Sequence, residues 1–181
     1  GIYQMPYRPT PLQFKVDGKT YFNERPISTQ QTAFSFVSQL RSWMPREIGG
    51  VIWFGNDDAN MVAYTPVYCG NTVQPECYNT PDADAVTFSD KNAFWVCNWV
   101  SNMVYPRYSQ IFPELKTLRD SLEASYFAQQ ADFEKKAMNL YATDKQAALR
   151  MLNDYSVEKA QQMLAEWKNL AIRIIVKYND M

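Results

Sequence analysis

The most informative feature for chemistry is a residue type that is missing. The 181-residue chain contains no histidine, the side chain that most often acts as a general base near neutral pH and that commonly binds zinc. Serine–histidine–aspartate and cysteine–histidine catalysis are therefore excluded within this chain. Few catalytic options remain, and paired carboxylates are one of them.

Two acidic clusters are candidates for acid–base or metal chemistry, namely Asp57-Asp58 and the pair of Asp82 and Asp84. Both lie in polar, turn-forming stretches, so we expect solvent-exposed loop carboxylates rather than a catalytic pair. Asp57, Asp58 and Asn60 lack the ligand spacing of an EF-hand loop. We therefore expect neither a metal ion nor a cofactor.

The three cysteines, Cys69, Cys77 and Cys97, are candidate nucleophiles by residue type. Their number is odd and no CxxC pair occurs, so the spacing indicates no redox motif. Cys69 and Cys77 are close enough in sequence to form a disulfide. The sequence favours the alternative of three free thiols, two of them buried as small apolar side chains. The cellular compartment stays open on this composition.

The elements that must position these groups change from strands to helices part-way along the chain, because the period of the apolar residues changes there. Residues 2–87 are typical of strands and turns and residues 88–181 of helices, so we predict one α+β unit whose β-rich part is covered by helices. Asp17-Gly18 predicts a two-residue hairpin turn. The segment 32–40 has two mixed faces, which predicts a strand covered on both sides.

The ends of the helices are predicted from capping residues. Thr87 or Ser89 is expected to cap a helix that ends near Tyr105, before a proline. A further helix is expected to begin near Pro113, and Thr143-Asp144 and Ser156 are expected to cap two more helices after it. Each of the capping side chains can accept a hydrogen bond from the first turn of a helix, where backbone N–H groups lack partners.

Charge and composition limit the classes of partner. The net charge is −1 and the isoelectric point is about 5.5, with no run of lysine or arginine. Domains that bind nucleic acids are usually basic, and no stretch approaches the 18 or so apolar residues of a membrane span. We therefore expect no nucleic-acid partner and no membrane span.

An ordered set of short motifs extends from Gln39 to Tyr108. The set comprises Gln39-Leu40-Arg41 at a predicted strand end, Pro45, Trp53, Tyr64-Thr65-Pro66-Val67-Tyr68, Phe88-Ser89 and Ala93-Phe94-Trp95. In this order and spacing the motifs resemble those of the bacterial cysteine dipeptidases of the N-terminal-nucleophile superfamily. The resemblance covers about 70 residues. The C-terminal part is similar to the family only in being helical.

The resemblance implies that the chain is the C-terminal part of an enzyme with an αββα sandwich that hydrolyses dipeptides. A cysteine at the mature N-terminus attacks the carbonyl in that family, and its own α-amine, with a pKa of about 8, acts as base without any histidine. Gly1 stands first in this chain, and none of the three cysteines is N-terminal. We therefore expect the nucleophile to lie in a segment that this sequence lacks, and the chain alone to be inactive.

Arg41 is the catalytic residue that the resemblance implies. Related amidases place an arginine after a strand near the nucleophile, where its guanidinium orients or polarises reacting groups, and the alternative is an ordinary surface arginine. Tyr64 and Tyr68 are candidate substrate-binding residues, with hydrogen-bonded core tyrosines as the alternative.

The expected partners follow from the same resemblance. They are a dipeptide substrate, the missing N-terminal segment and a second copy of the chain, because an isolated half of a sandwich exposes an apolar sheet face. Two other functions stay open, a non-catalytic binding or assembly module and an amidase acting on a non-peptide amide. The upstream sequence and a panel of dipeptides separate these from the dipeptidase.

Overall fold

The computed structural model describes Met5, residues 12–24 and residues 27–179, so the expectations that rest on Gly1 lie outside the described residues. Within these ranges the strands are β1 (Leu12–Val16), β2 (Lys19–Glu24), β3 (Phe34–Leu40), β4 (Gly50–Asn56) and β5 (Thr65–Tyr68). The α-helices are α1 (Arg46–Gly49), α2 (Ala93–Val104), α3 (Tyr108–Thr143) and α4 (Lys145–Tyr178). Strands precede long helices, which confirms the predicted α+β fold.

The first two strands form an antiparallel hairpin of their own around Asp17 and Gly18. These turn residues have φ angles of 49° and 75°, the left-handed region that a type I′ turn requires at both central positions. Glycine adopts this region without a Cβ penalty, and aspartate is among the few other residues that tolerate it. The predicted hairpin is confirmed.

The second sheet has the order β3-β4-β5 and is antiparallel throughout. Val51 and Trp53 of β4 are buried on the face that meets the helices, whereas Ile52 points to the other face and is half-exposed. The prediction that β3 is covered on both sides is wrong, because Phe36 and Leu40 are 54% and 76% exposed. In the described ranges β3 pairs only with β4, so its mixed pattern reflects an open edge strand.

The start of α2 corrects the predicted cap. Asn92 caps the helix, with its Oδ1 accepting a hydrogen bond from the backbone N–H of Trp95 at 3.3 Å. Thr87 and Ser89 lie too far upstream to cap a helix that begins at Ala93. Asparagine is as good an N-cap as serine, so local propensity could not choose between the three positions.

The two longest helices form an antiparallel hairpin joined at Asp144. The carboxylate of Asp144 accepts a hydrogen bond from the backbone N–H of Ala147 at 2.9 Å and caps α4 as predicted. Ser156 does not begin a separate helix, because it lies fully buried in the middle of the 34-residue α4. Packing of α4 on both sides of this position overrides the capping preference of serine.

The core lies between this helical hairpin, α2 and the inner face of the second sheet. Trp167 of α4, Tyr126 of α3 and Tyr68 of β5 are among its largest buried side chains. Phe133 and Tyr155 stack between the two helices with ring centroids 3.8 Å apart, which holds α3 and α4 in register. Among the described residues, no helix is both long and apolar enough to cross a membrane.

Candidate functional site

Arg41 follows β3 directly, and its side chain is only 11% exposed. Its Nη1 and Nη2 donate to the two carboxylate oxygens of Glu134 on α3 at 2.5 and 2.6 Å, which is a bidentate ion pair. Its Nε donates to the carbonyl oxygen of Gly49, and Nη2 also donates to that of Ile48, both at 3.2 Å. These four hydrogen bonds fix the plane and orientation of the guanidinium group.

Glu134 collects donors from both the sheet and its own helix. Besides Arg41, its Oε1 accepts from the Tyr68 hydroxyl at 3.1 Å and from Gln130 Nε2 at 2.9 Å. Gln130 Nε2 also donates to Gln39 Oε1 at 2.8 Å, which extends the network to β3. Burial raises the pKa of Tyr68, and the charge of Glu134 raises it further, so the phenol stays protonated and donates to the carboxylate.

A close approach of two backbone segments brings Arg41 to this position. A Cβ atom on Gly49 would lie 2.6 Å from the Arg41 carbonyl oxygen, and one on Gly50 would lie 2.5 Å from Cys69 Sγ. Any larger residue at either position would therefore clash with its neighbour. The Arg41 backbone N–H donates to the Gly49 carbonyl at 3.1 Å, which joins the end of β3 to the start of β4.

An open cleft of about 590 Å³ lies at this end of the sheet. The residues that line it include Arg41, Trp43, Arg46, Glu47 and Cys69. Glu47 forms an ion pair with Lys145 at 2.7 Å, and the hydrogen bond from this lysine lowers the pKa of Glu47 to about 2. The cleft is large enough for a small polar molecule, and Arg41 belongs both to its wall and to the buried network.

The two candidate tyrosines have different surroundings. Tyr68 is buried and belongs to the network around Glu134. The Tyr64 hydroxyl instead lies 2.7 Å from Ser35 Oγ on β3, and its backbone N–H donates to Glu123 Oε1 at 3.0 Å. The structure thus joins Tyr68 to Arg41 and, among the described residues, leaves Tyr64 outside their hydrogen-bond network. Contact of either tyrosine with a substrate stays a prediction.

Sequence reasoning missed Gln130 and Glu134. Both are buried on α3 and continue at steps of four residues from Leu122 and Tyr126, which are also buried. Side chains four residues apart lie on one helical face. Polar residues that continue an apolar stripe are the signal that could have indicated a buried network, but nothing in the sequence identified Arg41 as the partner of Glu134.

The acidic pair Asp57-Asp58 is buried, so the expectation of solvent-exposed carboxylates is wrong there. Asp57 accepts hydrogen bonds from Asn98 Nδ2 at 2.9 Å and from Ser101 Oγ at 2.6 Å, and it thereby ties the loop after β4 to α2. Asp58 accepts from the Tyr105 hydroxyl. Tertiary donors replace the water that the local sequence led us to expect.

Substitutions at Asp57 test this structural role. Asp57→Asn is expected to change the free energy of unfolding by less than about 1 kcal/mol, because the amide still accepts from Asn98 and donates to Ser101. Asp57→Ala is expected to lower it by about 2–4 kcal/mol, since two donors lose their acceptor and φ is 73° at this position. Urea denaturation followed by circular dichroism measures both changes.

The difference in stability between the wild type and Asp57→Asn is expected to depend on pH. Burial raises the pKa of Asp57, so its ionisation opposes folding above the folded-state pKa, and this penalty disappears as pH falls below the unfolded-state pKa. The wild-type protein should therefore gain stability relative to Asp57→Asn as the pH is lowered through this range. A difference that does not change with pH, or an asparagine variant as unstable as the alanine variant, would contradict the assignment.

The remaining candidates are Asp82, Asp84 and the three cysteines. Asp82 and Asp84 are exposed, as predicted. All three cysteines are free, with Cys77 and Cys97 buried and Cys69 exposed, which confirms the interpretation favoured by the sequence. Burial raises the pKa of Cys77 to about 12, so this thiol is a poor nucleophile.

Among the residues described, no three His, Cys, Asp or Glu side chains lie close enough together to hold a metal ion.

Comparison with known proteins gives a family-model match, described as peptidase family C69, over residues 5–120. The chain belongs to peptidase family C69. Similar curated proteins include two named "Probable dipeptidase B", from Streptococcus pyogenes serotypes M1 and M3. They are 23% identical over 154 and 155 residues, which is 83% of this chain. The chain spans about 30% of the length of these relatives.

The region of this C69 chain that matches the family model contains Arg41, Tyr64 and Tyr68 but ends before Gln130 and Glu134. Glu134, the residue on α3 that binds the Arg41 guanidinium, therefore lies outside the matched range. The matched range covers both sheets, α2 and the first part of α3. The rest of the helical hairpin completes the surroundings of Arg41.

Proposed function

We propose that this chain is the C-terminal region of a cysteine dipeptidase, whose N-terminal nucleophile comes from a segment that the present sequence lacks. Membership of peptidase family C69 carries the proposal, and the names of the two relatives support dipeptides as the substrate class. An N-terminal cysteine uses its own α-amine as base, which is compatible with a chain that contains no histidine. By itself the chain is proposed to be inactive.

Arg41 is the residue that we propose takes part in the reaction. A guanidinium group has five N–H donors, and four are used in the bonds to Glu134, Gly49 and Ile48. The second N–H on Nη1 has no acceptor among the described residues, and we propose that it binds a ligand in the cleft that Arg41 lines. A donor that is already fixed in place can polarise a carbonyl without reorganising during the reaction.

The tyrosines are proposed to play unequal parts. Tyr68 donates to Glu134 and so acts as a positioning residue for Arg41, with no direct contact to the substrate required. Tyr64 stays a candidate for substrate contact near the exposed edge of β3, where its hydroxyl meets Ser35.

The decisive experiment compares this 181-residue chain with the longer protein that contains it. Both are incubated with a panel of dipeptides, and released amino acids are separated and quantified. We expect hydrolysis by the longer protein and none by the chain alone. Hydrolysis by the chain alone, or no cleavage of any dipeptide by the longer protein, would overturn the proposal.

The same assay separates the two alternatives. A longer protein that cleaves acylated amines but not dipeptides is an amidase of a different substrate class. A longer protein that cleaves neither, although its first residue after processing is cysteine, is a binding or assembly module of this fold. Including an acylated amine in the panel makes each outcome visible.

The uncovered face of the second sheet is the proposed contact with other chain segments. Phe34, Phe36 and Leu40 of β3 are exposed, and Phe34 stacks on Phe54 of β4 with centroids 6.1 Å apart. Contiguous apolar patches on soluble domains are typical of interaction surfaces. We propose that the remainder of the longer polypeptide covers this face, and that the isolated chain covers it with a second copy.

Phe36→Lys is expected to abolish self-association of the isolated chain. The wild-type chain should increase in apparent mass with concentration in size-exclusion chromatography with light scattering. A lysine on the edge strand should keep it monomeric, because association would bury the charge. The matched control is Ile172→Lys, which adds the same charge at a similarly exposed apolar position on α4 and should associate like the wild type. A clean wild-type monomer at high concentration would contradict the prediction.

A further inference from the structure

The cleft beside Arg41 carries one uncompensated positive charge. Arg41 is neutralised by Glu134, and Glu47 is neutralised by Lys145. Arg46 also lines the cleft, and its guanidinium forms no ion pair with any described residue. The charged groups of the cleft and their partners therefore leave a net charge of one, carried by Arg46.

Arg41 and Arg46 are both among the residues that line this cleft. The remaining Nη1 N–H of Arg41 suits a neutral carbonyl oxygen, because Glu134 already compensates the charge of this guanidinium. Arg46 retains its full charge and five potential donors, which suits a carboxylate. In a dipeptide, one residue separates the scissile carbonyl from the terminal carboxylate, and the cleft has a volume of about 590 Å³.

The apolar rim of the cleft completes the match to this end of a peptide. Trp43 lines it and is strongly exposed. Burying part of its surface against the last side chain of a peptide contributes favourable free energy without demanding a particular side chain. The floor is formed by Gly49 and Gly50, where no larger residue fits.

We propose that Arg46 binds the terminal carboxylate of the substrate and thereby limits the enzyme to peptides that end one residue after the scissile bond. The identity of the ligand rests on the proposed dipeptidase function. Arg46 is accordingly a specificity-determining residue, distinct from Arg41 at the carbonyl. A longer peptide would have to place an uncharged amide beside Arg46 and would lose the charge-assisted hydrogen bonds.

Binding to the 181-residue chain tests this subsite without requiring catalysis. Alanyl-phenylalanine and its C-terminal amide are titrated into the chain, and binding is measured by calorimetry or by NMR chemical shifts. The wild type is expected to bind the free acid about tenfold more tightly than the amide. Arg46→Gln is expected to weaken binding of the acid about tenfold and to remove the preference.

Arg150→Gln is the matched control, since Arg150 is an exposed arginine of α4 that does not line this cleft. It should bind both ligands like the wild type, and circular dichroism should show that both variants are folded. Equal binding of acid and amide by the wild type, binding of neither, or an Arg46→Gln variant that keeps the preference would overturn the inference. The binding test and the cleavage test can also give different answers. If the chain prefers the free acid but the longer protein cleaves no dipeptide, the proposed function is refuted and the carboxylate-binding role of Arg46 stands.

Discussion

Glu134→Ala is expected to lower the free energy of unfolding by about 3–5 kcal/mol, since it leaves the charge of Arg41 nearly buried without its partner. The side chains of Arg41 and Glu134 are only 11% and 6% exposed, so water cannot take over the lost hydrogen bonds. Tyr68 and Gln130 lose their shared acceptor in the same variant. Urea denaturation monitored by circular dichroism measures the change.

Two further variants separate the ion pair from its neighbours. Tyr68→Phe removes one donor and is expected to lower the free energy of unfolding by about 1 kcal/mol. The double variant Arg41→Met with Glu134→Leu removes the unpaired charge and fills the space with apolar side chains, so it is expected to recover part of the stability lost in Glu134→Ala. Tyr68 and Gln130 still lack their shared acceptor in this variant. A Glu134→Ala variant within about 1 kcal/mol of the wild type would show that the bidentate pair contributes little.

In the longer protein, Arg41→Lys is expected to reduce kcat/KM for dipeptides about 10²-fold. The guanidinium uses four N–H groups to hold its position, and the fifth is the one proposed to bind a ligand. A lysine has three donors on one nitrogen and cannot reproduce this geometry. Steady-state kinetics on the purified longer protein, at a temperature where thermal unfolding shows it to be folded, measures the effect.

The apolar double variant Arg41→Met with Glu134→Leu shows whether Arg41 acts in the reaction or only supports the fold. If Arg41 touches the reacting carbonyl, this variant should be folded and inactive. If its role is structural alone, restoring stability should restore kcat/KM. The control is Arg150→Lys on the exposed surface of α4, which should leave kcat and KM unchanged. Full activity of the apolar double variant would refute the catalytic role proposed for Arg41.

Local features were predicted well where a few neighbouring residues decide the conformation. The Asp17-Gly18 hairpin needs two left-handed residues in succession, and few residue pairs other than this one provide them. Asp144 caps α4 because its carboxylate reaches a backbone N–H three residues away. Arg41 was placed at a strand end by its position after a β-rich stretch, and β3 ends one residue before it.

Features that depend on distant segments were predicted wrongly or missed. A mixed pattern on β3 fits both double burial and an open edge, and only the position of the strand in the sheet separates the two. Asp57 and Asp58 have the local sequence of a solvated turn, yet they are buried because α2 and the segment after it supply their donors. Ser156 has the residue type of a cap but lies inside a continuous helix.

The sequence by itself excluded chemistry that depends on histidine within this chain, because the chain contains none. It also determined the order of strands and helices, since these follow from periods of two and of 3.6 residues. Only the tertiary structure decided that Glu134 is the partner of Arg41, 93 residues away in the chain. Such a pair is set by how α3 packs on the sheet, and no local pattern encodes a contact at that separation.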